Sequence, residues 1–239
     1  MATPTSARAH VFVDDLGAPR LASDDHHHLA RVLRLAPGTE LTAGDGAGRW
    51  RLCRLGESKD DLVVAGEIVE DRRPGPLLTV AFALVKGDRP ELVVQKLTEL
   101  GVDRIVPFAA ERSVVRWEPG KADRQLARLR SIARQAAMQC RRTWLPDVGI
   151  AEPGGDAASR LAGFATVAEL PGAAMADRGG EPPTMATPTL LVGPEGGWGT
   201  TERSVGIPRV RLSEHVLRAE TAALTAGALL GALRSELVR

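Results

Sequence analysis

Two stretches near the carboxyl end decide the fold: Leu190-Leu191-Val192-Gly193-Pro194-Glu195-Gly196-Gly197-Trp198-Gly199 and Leu212-Ser213-Glu214-His215-Val216-Leu217-Arg218-Ala219-Glu220-Thr221-Ala222-Ala223. The first predicts a buried strand, Pro188 to Val192, followed by a glycine-rich loop. The second predicts a strand from Pro208 to Leu212, a loop, and a helix from Ala219. Open α/β sheets bind ligands at such strand-end loops, so we expect the two stretches to form one cleft.

The glycine-rich loop, Gly193 to Gly199, has two readings. It is either a simple turn or a place where a ligand approaches the main chain closely, as glycine permits. As a phosphate cradle it is poor, because it matches neither the Walker spacing nor a full dinucleotide fingerprint. Glu195 would also repel phosphate. A neutral or cationic ligand suits the loop better.

Composition limits the class of protein. The chain has 239 residues, of which 44% are hydrophobic and 26% charged, as in ordinary globular proteins. The formal net charge is +1, so any nucleic-acid footprint must be local. Cys53 and Cys140 suit a reducing cytosol, and we expect a cytoplasmic protein. No signal peptide is recognised, and no apolar run approaches the ~20 residues of a membrane span.

The amino-terminal part predicts a small β-rich domain, residues 1–72. Strands are expected at His10 to Val13, Glu40 to Ala43, Arg49 to Leu55 and Asp61 to Val69, with a helix from His26 to Leu35 capped by Asp24 and Asp25. The second and third of these strands flank the glycine-rich turn Gly44 to Gly48, which predicts a hairpin. Short strands at this spacing suggest a barrel. Two prolines and a glycine between Arg72 and Pro76 predict a linker.

The remainder, residues 77–239, alternates strand and helix signals. Strands are expected at Leu77 to Val85, Val102 to Phe108 and Phe164 to Leu170. One helix is expected to start at Pro90 and to end just before Gly101, and two others run from Lys121 to Arg142 and from Thr200 to Val205. The pattern is typical of a mostly parallel α/β sheet flanked by helices. Physical reasoning alone would not predict a knot, since true knots are nearly absent from proteins.

Six motifs carry a family resemblance: His27-His28-Leu29-x-x-Val32-Leu33-Arg34, Lys86-Gly87-Asp88-Arg89, Glu99-Leu100-Gly101-Val102, Glu111-Arg112-Ser113, Gly193-Pro194-Glu195-Gly196-Gly197 and Val216-Leu217-Arg218-x-Glu220-Thr221-Ala222. In this order they resemble the knotted SPOUT methyltransferases, and most of all the family that methylates uracil N3 in 16S ribosomal RNA. The resemblance implies a PUA-like RNA-binding barrel, a methyltransferase domain with a carboxyl-terminal trefoil knot, and a homodimer.

The resemblance also implies S-adenosylmethionine (SAM) as methyl donor. We expect its pocket at Leu170, Gly172, Gly193, Glu195, Gly196, Gly197, Leu212, Val216 and Leu217, residues that turns and core packing explain equally well. Catalytic candidates are Arg218, Arg112, Glu195 and Glu220. An Arg at a helix start is unfavourable for the helix dipole, which favours a substrate role for Arg218. Glu220 suits a helix start structurally.

Basic residues point to RNA. Lys121 to Arg142 holds seven basic residues and one acid, which favours phosphate binding over a merely solvated face. We expect RNA contacts from Arg130, Arg134 and Arg141, and from Arg31 and Arg34, three apart on the barrel helix. His26 to His28 point in different directions on a helix, so no metal site is expected.

Three functions remain open from the sequence. The first is SAM-dependent methylation of uracil N3 in 16S rRNA of the small ribosomal subunit. The second is another SPOUT reaction, such as ribose 2′-O methylation of tRNA. The third is a non-catalytic RNA-binding protein. Neither a membrane nor a metal is expected as a partner.

Overall fold

The structure is a computed structural model that describes residues 3–58, 60–115, 117, 119–151 and 156–238. The chain divides into two compact units. Unit 1 comprises Met1–Arg73 with Arg134–Leu145, and unit 2 comprises Pro74–Ala133 with Pro146–Arg239. The long helix α3, Pro119–Gln139, therefore contributes its last turns to unit 1.

Unit 1 is a five-stranded sheet around its own core. Its strands are β1 (His10–Phe12), β2 (Glu40–Gly44), β3 (Arg49–Leu55), β4 (Leu62–Val64) and β5 (Val69–Glu70). β2 and β3 form the predicted antiparallel hairpin, with Gly44 opposite Trp50, and β1 pairs with β2 in parallel. Val11, Leu29, Leu41 and Cys53 are buried in the core, together with Ala137 from α3.

Two local predictions for unit 1 were wrong. The expected strand from Asp61 to Val69 is split into β4 and β5, and the break contains Gly66, whose carbonyl accepts two hydrogen bonds from Arg51. Helix α1 (Ser23–His27) has Ala22 at its N-cap and no side-chain cap, and it continues as a π-helical turn, His28–Val32. Asp25 does not cap because it is buried in an ion pair with Arg134.

The buried side chain of His10 is expected to make the stability of unit 1 depend on pH. Its ring is buried, and Nδ1 lies 2.8 Å from Thr42 Oγ1. Burial, reinforced by the nearby Arg141 charge and opposed by Asp71, lowers the pKa of His10 to about 4. The folded state therefore binds its proton less readily than the unfolded chain, whose His pKa is near 6.5.

We predict that this contribution to stability is complete above about pH 6.5 and is lost as the pH falls towards 4, by about 3 kcal/mol. In urea titrations, the difference in unfolding free energy between wild type and His10→Asn should shrink by that amount between pH 7 and pH 4. Carboxylates titrate equally in both proteins and cancel. A difference that does not change with pH would contradict the assignment.

Unit 2 is a six-stranded sheet in the order β11-β9-β10-β6-β7-β8, in which every pair is parallel. The strands are β6 (Thr79–Ala83), β7 (Arg104–Phe108), β8 (Asp147–Val148), β9 (Ala173–Glu181), β10 (Thr189–Val192) and β11 (Arg209–Val210). The other helices are α2 (Arg89–Glu99), α4 (Ala157–Ala168), α5 (Thr200–Ser204) and α6 (Ala219–Arg234). The predicted α/β class is confirmed.

The predicted strand from Phe164 to Leu170 was wrong. Its residues up to Ala168 belong to α4, which buries Phe164 and Val167, three residues apart, on one face. The strand follows it as β9, and polar residues such as Asp177 and Arg178 with two glycines hide the strand signal. Consequently Leu170 and Gly172 lie at the amino end of β9, where Gly172 approaches Pro188.

Among the described residues, no helix is both long and apolar enough to cross a bilayer. Within the same residues, no three His, Cys, Asp or Glu side chains are grouped so that they could hold a metal ion.

Candidate active site

The two carboxyl-terminal stretches line one cleft. The cleft has a volume of about 250 Å³ and lies beyond the carboxyl end of β10. Six of the predicted cofactor residues line it: Gly193, Glu195, Gly197, Leu212, Val216 and Leu217. We call it the donor cleft. The three other predicted residues are not among its lining: Gly196 is adjacent in the same loop, whereas Leu170 and Gly172 precede β9.

The glycine loop follows β10, and its Trp198 packs into a buried aromatic cluster with Phe108 and Phe164. Trp198 is buried, donates its indole N–H to the Ala176 carbonyl at 2.8 Å, and stacks on Phe108 with a centroid distance of 6.3 Å. A Cβ on Gly193 would come within 2.9 Å of the Trp198 ring, and Gly197 has φ +69°. Both positions therefore require glycine, and the backbone stays open to the cleft.

Glu202 fastens the glycine loop to the end of β7. Its buried carboxylate accepts hydrogen bonds from the backbone N–H of Gly199 and of Glu111, each at 2.8 Å. The same strand-end loop carries Arg112, which donates to the Gly196 carbonyl at 3.2 Å. Sequence reasoning missed Glu202 and Trp198. A Glu three residues after the helix N-cap, as in Gly199-x-x-Glu202, is the carboxylate half of a capping box and could have revealed the first.

We predict that Glu202→Gln weakens SAM binding roughly tenfold and lowers the unfolding free energy by about 2 kcal/mol, because the amide has only one acceptor oxygen for two N–H groups. Isothermal calorimetry and urea unfolding measure both effects. Glu111→Gln is the matched control, since the exposed Glu111 carboxylate accepts a longer bond, 3.3 Å, from Thr201 N. Equal effects from the two variants would contradict the role of Glu202.

Charged groups line the far wall of the donor cleft. Asp177 pairs with Arg203 at 2.6 Å, and both line the cleft. Burial alone would raise the pKa of Asp177, but the Arg203 hydrogen bond, the Gly179 N–H and the charges of Arg203 and Arg209 lower it overall. This wall therefore holds an ionised carboxylate beside a guanidinium. The carboxylate can accept hydrogen bonds from a ligand's ammonium group, and the guanidinium can donate them to a ligand's carboxylate.

The catalytic candidates lie at the mouth of this cleft or next to it. Arg218 is the N-cap residue of α6 and is exposed, and its side chain forms no hydrogen bond or ion pair with another residue in the described part of the chain. Arg89 bridges Glu195 at 3.5 Å and Glu220 at 3.7 Å. Glu220 is mostly buried, whereas the Glu195 side chain is 53% exposed.

The arginines predicted to contact RNA differ in how many hydrogen bonds their side chains form within the protein. Arg134 donates to both Asp25 carboxylate oxygens, at 2.9 and 2.6 Å, and to the Phe12 carbonyl. Arg141 donates to the backbone carbonyls of residues 4, 7 and 8. Arg130 donates to the Val148 carbonyl, but Arg130 as a whole remains exposed. Interactions inside the protein therefore account for Arg134 and Arg141.

Arg31 and Arg34 are both exposed, yet they do not share a regular helical face. Arg31 lies in the π-helical turn, and Arg34 follows it with φ +54°, in the left-handed region. The predicted spacing of three along an α-helix was wrong because the helix changes to π geometry and ends. Val32 and Leu33 between them are exposed as well, so the segment presents two cations around an apolar centre.

Comparison with known proteins identifies the class. A family model described as an RNA methyltransferase domain matches residues 73–231, and one described as an RNA methyltransferase PUA domain matches residues 21–65. The chain belongs to the RNA methyltransferase family. Members similar to it include the ribosomal RNA small subunit methyltransferase E of Mycobacterium bovis, which is 32% identical over 92% of this chain and 89% of its own length. That of Synechocystis is 33% identical over 87% and 70%.

Solved structures agree with this family assignment. A protein from Legionella pneumophila, described as a methyltransferase in complex with the bound cofactor SAM, has a TM-score of 0.75 at 26% identity, covering 97% of this chain and 98% of its own. A probable rRNA-methyltransferase from Porphyromonas gingivalis has a TM-score of 0.76 at 25% identity, covering 96% and 100%. The RNA methyltransferase fold thus extends through both units of the chain.

Proposed function

We propose that this RNA methyltransferase transfers the methyl group of SAM to N3 of a uracil in 16S rRNA of the small ribosomal subunit. The observation that carries the proposal is the donor cleft, which the glycine loop and the loop before α6 line together. Family membership supplies the class of reaction, and the relatives that match over most of their length and are named small-subunit rRNA methyltransferases supply the substrate.

The residues of the donor cleft fit SAM. The cleft combines open main chain at the glycine loop with apolar side chains, including Leu212 and Leu217, which suit adenine and ribose. Asp177 and Glu195 provide negative charge for a sulfonium and an ammonium group, and Arg203 complements a carboxylate. When bound, SAM supplies an activated methyl group on a sulfonium sulfur.

Arg218 is proposed to act on the uracil. N3 becomes nucleophilic when it loses its proton, and negative charge then spreads to the ring oxygens O2 and O4. A guanidinium held at the entrance of α6, without a described partner of its own, can donate hydrogen bonds to that charge. It would favour the deprotonated ring and stabilise charge in the transition state.

The carboxylates are proposed to have separate roles. Glu195 is exposed in the cleft and can accept the N3 proton or face the donor's positive charge. Glu220 is proposed to hold Arg89, which in turn orients Glu195. Arg112 is proposed to fix the main chain at Gly196 rather than to touch the reacting atoms. Arg31, Arg34 and the exposed Arg130 are the proposed RNA contacts.

We propose that the protein forms a homodimer and that its carboxyl-terminal part forms a trefoil knot, as the resemblance implies. We also propose that it is cytoplasmic and uses no metal. The position of β10 supports the knot, because β10 lies in the sheet between β6 and β9, two strands that both precede it in the sequence. Val216 and Leu237, which flank the two ends of α6, are exposed hydrophobic residues with 76% and 79% of their surface accessible, and they support a partner surface on unit 2. Light scattering measures the dimer directly.

The reaction is tested by incubating the purified protein with labelled SAM and unmodified small-subunit rRNA, then digesting the RNA to nucleosides. The proposal predicts label in 3-methyluridine. Label in a 2′-O-methylated nucleoside would identify a different SPOUT reaction, and no SAM binding at about millimolar donor would indicate an RNA-binding protein without this activity.

A further inference from the structure

A second cleft lies on unit 2, beyond the carboxyl end of β6. It has a volume of about 310 Å³ and shares no lining residue with the donor cleft. Its lining includes Val85, Lys86, Pro90, Val115, Trp117 and Lys121. We call it the lysine cleft. A pocket of this size admits a small ligand or one unit of a polymer, not a folded element.

The lysine cleft is positively charged. Lys86 and Lys121 are exposed and form no ion pair with any residue that the structure describes. The acidic residue of the lining, Glu91, is already neutralised by Arg128, whose Nε lies 2.7 Å from its carboxylate. Two cations of the lining therefore have no counter-charge among the described residues, and they lie beside one apolar pocket, which favours an anionic group on the ligand.

Two helices add to this charge. Pro90 lies in the first turn of α2, and Lys121 lies in the first turn of α3, so both helices begin at the lysine cleft. The amino ends of helices carry partial positive charge and unsatisfied N–H groups that favour anions such as phosphate. At the lysine cleft, these two helix ends lie beside Lys86 and Lys121, so two independent sources of positive charge meet there.

The apolar part of the lining favours a flat group next to the anion. Val85 and Val115 lie in the lining together with Trp117, which keeps 7% of its surface exposed. Cations that follow a backbone, combined with an aromatic side chain and apolar walls for the bases, are the usual means of binding single-stranded nucleic acid. A nucleotide supplies both the phosphate and the flat base.

The lysine cleft adjoins the donor cleft. Arg89, next to Pro90 of the lysine cleft, contacts Glu195 of the donor cleft at 3.5 Å. We propose that the lysine cleft binds a nucleotide of the substrate RNA close to the methylated one, with its phosphate at Lys86 and Lys121 and its base against Trp117 and the valines. This inference rests on the proposed function, since it assigns part of the RNA substrate to the cleft.

The test compares Lys86→Gln/Lys121→Gln with Lys96→Gln. Lys96 is on α2 outside the cleft and pairs with Glu99 at 2.8 Å, so its variant removes a lysine charge elsewhere. Binding of transcribed small-subunit rRNA is measured between about 50 and 200 mM salt, together with SAM affinity. The double variant should bind RNA roughly tenfold more weakly, with a salt slope smaller by about 1.4, while SAM affinity stays within about twofold.

The outcomes separate the inference from the proposed function. Equal RNA affinity and salt slope in the double variant and Lys96→Gln would overturn the nucleotide site, even if wild type forms 3-methyluridine. A loss of SAM affinity in the double variant would also overturn it, because the lysines would then serve the donor. RNA binding by wild type without methylation would overturn the proposed reaction, and the affinity comparison would still decide the site.

Discussion

Replacing Arg218 with alanine is expected to lower kcat for RNA methylation roughly 100- to 1,000-fold, the loss typical of removing one donor aimed at developing charge. Arg218 is exposed at the N-cap of α6 and donates to no other described residue. Its position is electrostatically unfavourable for the helix, whose amino end prefers an acid. A structural role would require a partner that the described residues do not supply.

SAM affinity should remain within about twofold in Arg218→Ala, because the backbone and apolar lining of the donor cleft are unchanged. Single-turnover methylation and calorimetry measure the rate and the donor affinity separately. Arg104→Ala is the matched control, since Arg104 is also exposed but lies at the start of β7 and pairs with Asp147. An unchanged rate in Arg218→Ala would remove this residue from the mechanism.

Replacing Arg234 with methionine is expected to lower the unfolding free energy by roughly 3–5 kcal/mol, the usual cost of leaving a buried charge without its partner. Arg234, in the last turn of α6, forms an ion pair with Asp103, and their side chains are 12% and 3% exposed. Arg234 also donates to the Gly101 carbonyl at 2.8 Å. Asp103 accepts from Leu78 N at 3.0 Å, so the pair ties α6 to the start of the sheet.

Urea unfolding measures this effect, and Arg104→Met removes an exposed ion pair as a control that should cost at most about 1 kcal/mol. The double variant Asp103→Asn/Arg234→Met should lose less than the two single variants summed, since Asn can still accept from Leu78 N and leaves no charge behind. If Arg234→Met and Arg104→Met unfolded alike, the buried pair would not anchor α6.

The parts of the fold that could be predicted are those with strong local signals. The hairpin around Gly44, the strand before the glycine loop and the helix from Ala219 each combine periodic apolar residues with turn or cap chemistry. β9 could not be recognised because it is polar and rich in glycine, and the apolar residues of α4 before it imitate a strand. Local pattern cannot separate these cases without the sheet.

The same limit applies to the candidate site. The two carboxyl-terminal loops could be placed together because strand ends of a parallel sheet share one edge. Leu170 and Gly172 were assigned to the cofactor pocket from the resemblance and from a strand predicted to end there, but they lie at the start of β9 instead. Arg134 has the appearance of an RNA contact in sequence, but its partner Asp25 is 109 residues away in the chain, beyond any local pattern.

In the proposed function, the glycine loop and the loop before α6 close around SAM. Hydrogen exchange of the backbone amides, measured with and without saturating SAM, tests it most directly. We expect slower exchange at residues 193–199 and 212–218 together, with exchange at residues 170–172 unchanged. Protection confined to one of the two loops, or centred on residues 170–172, would contradict it.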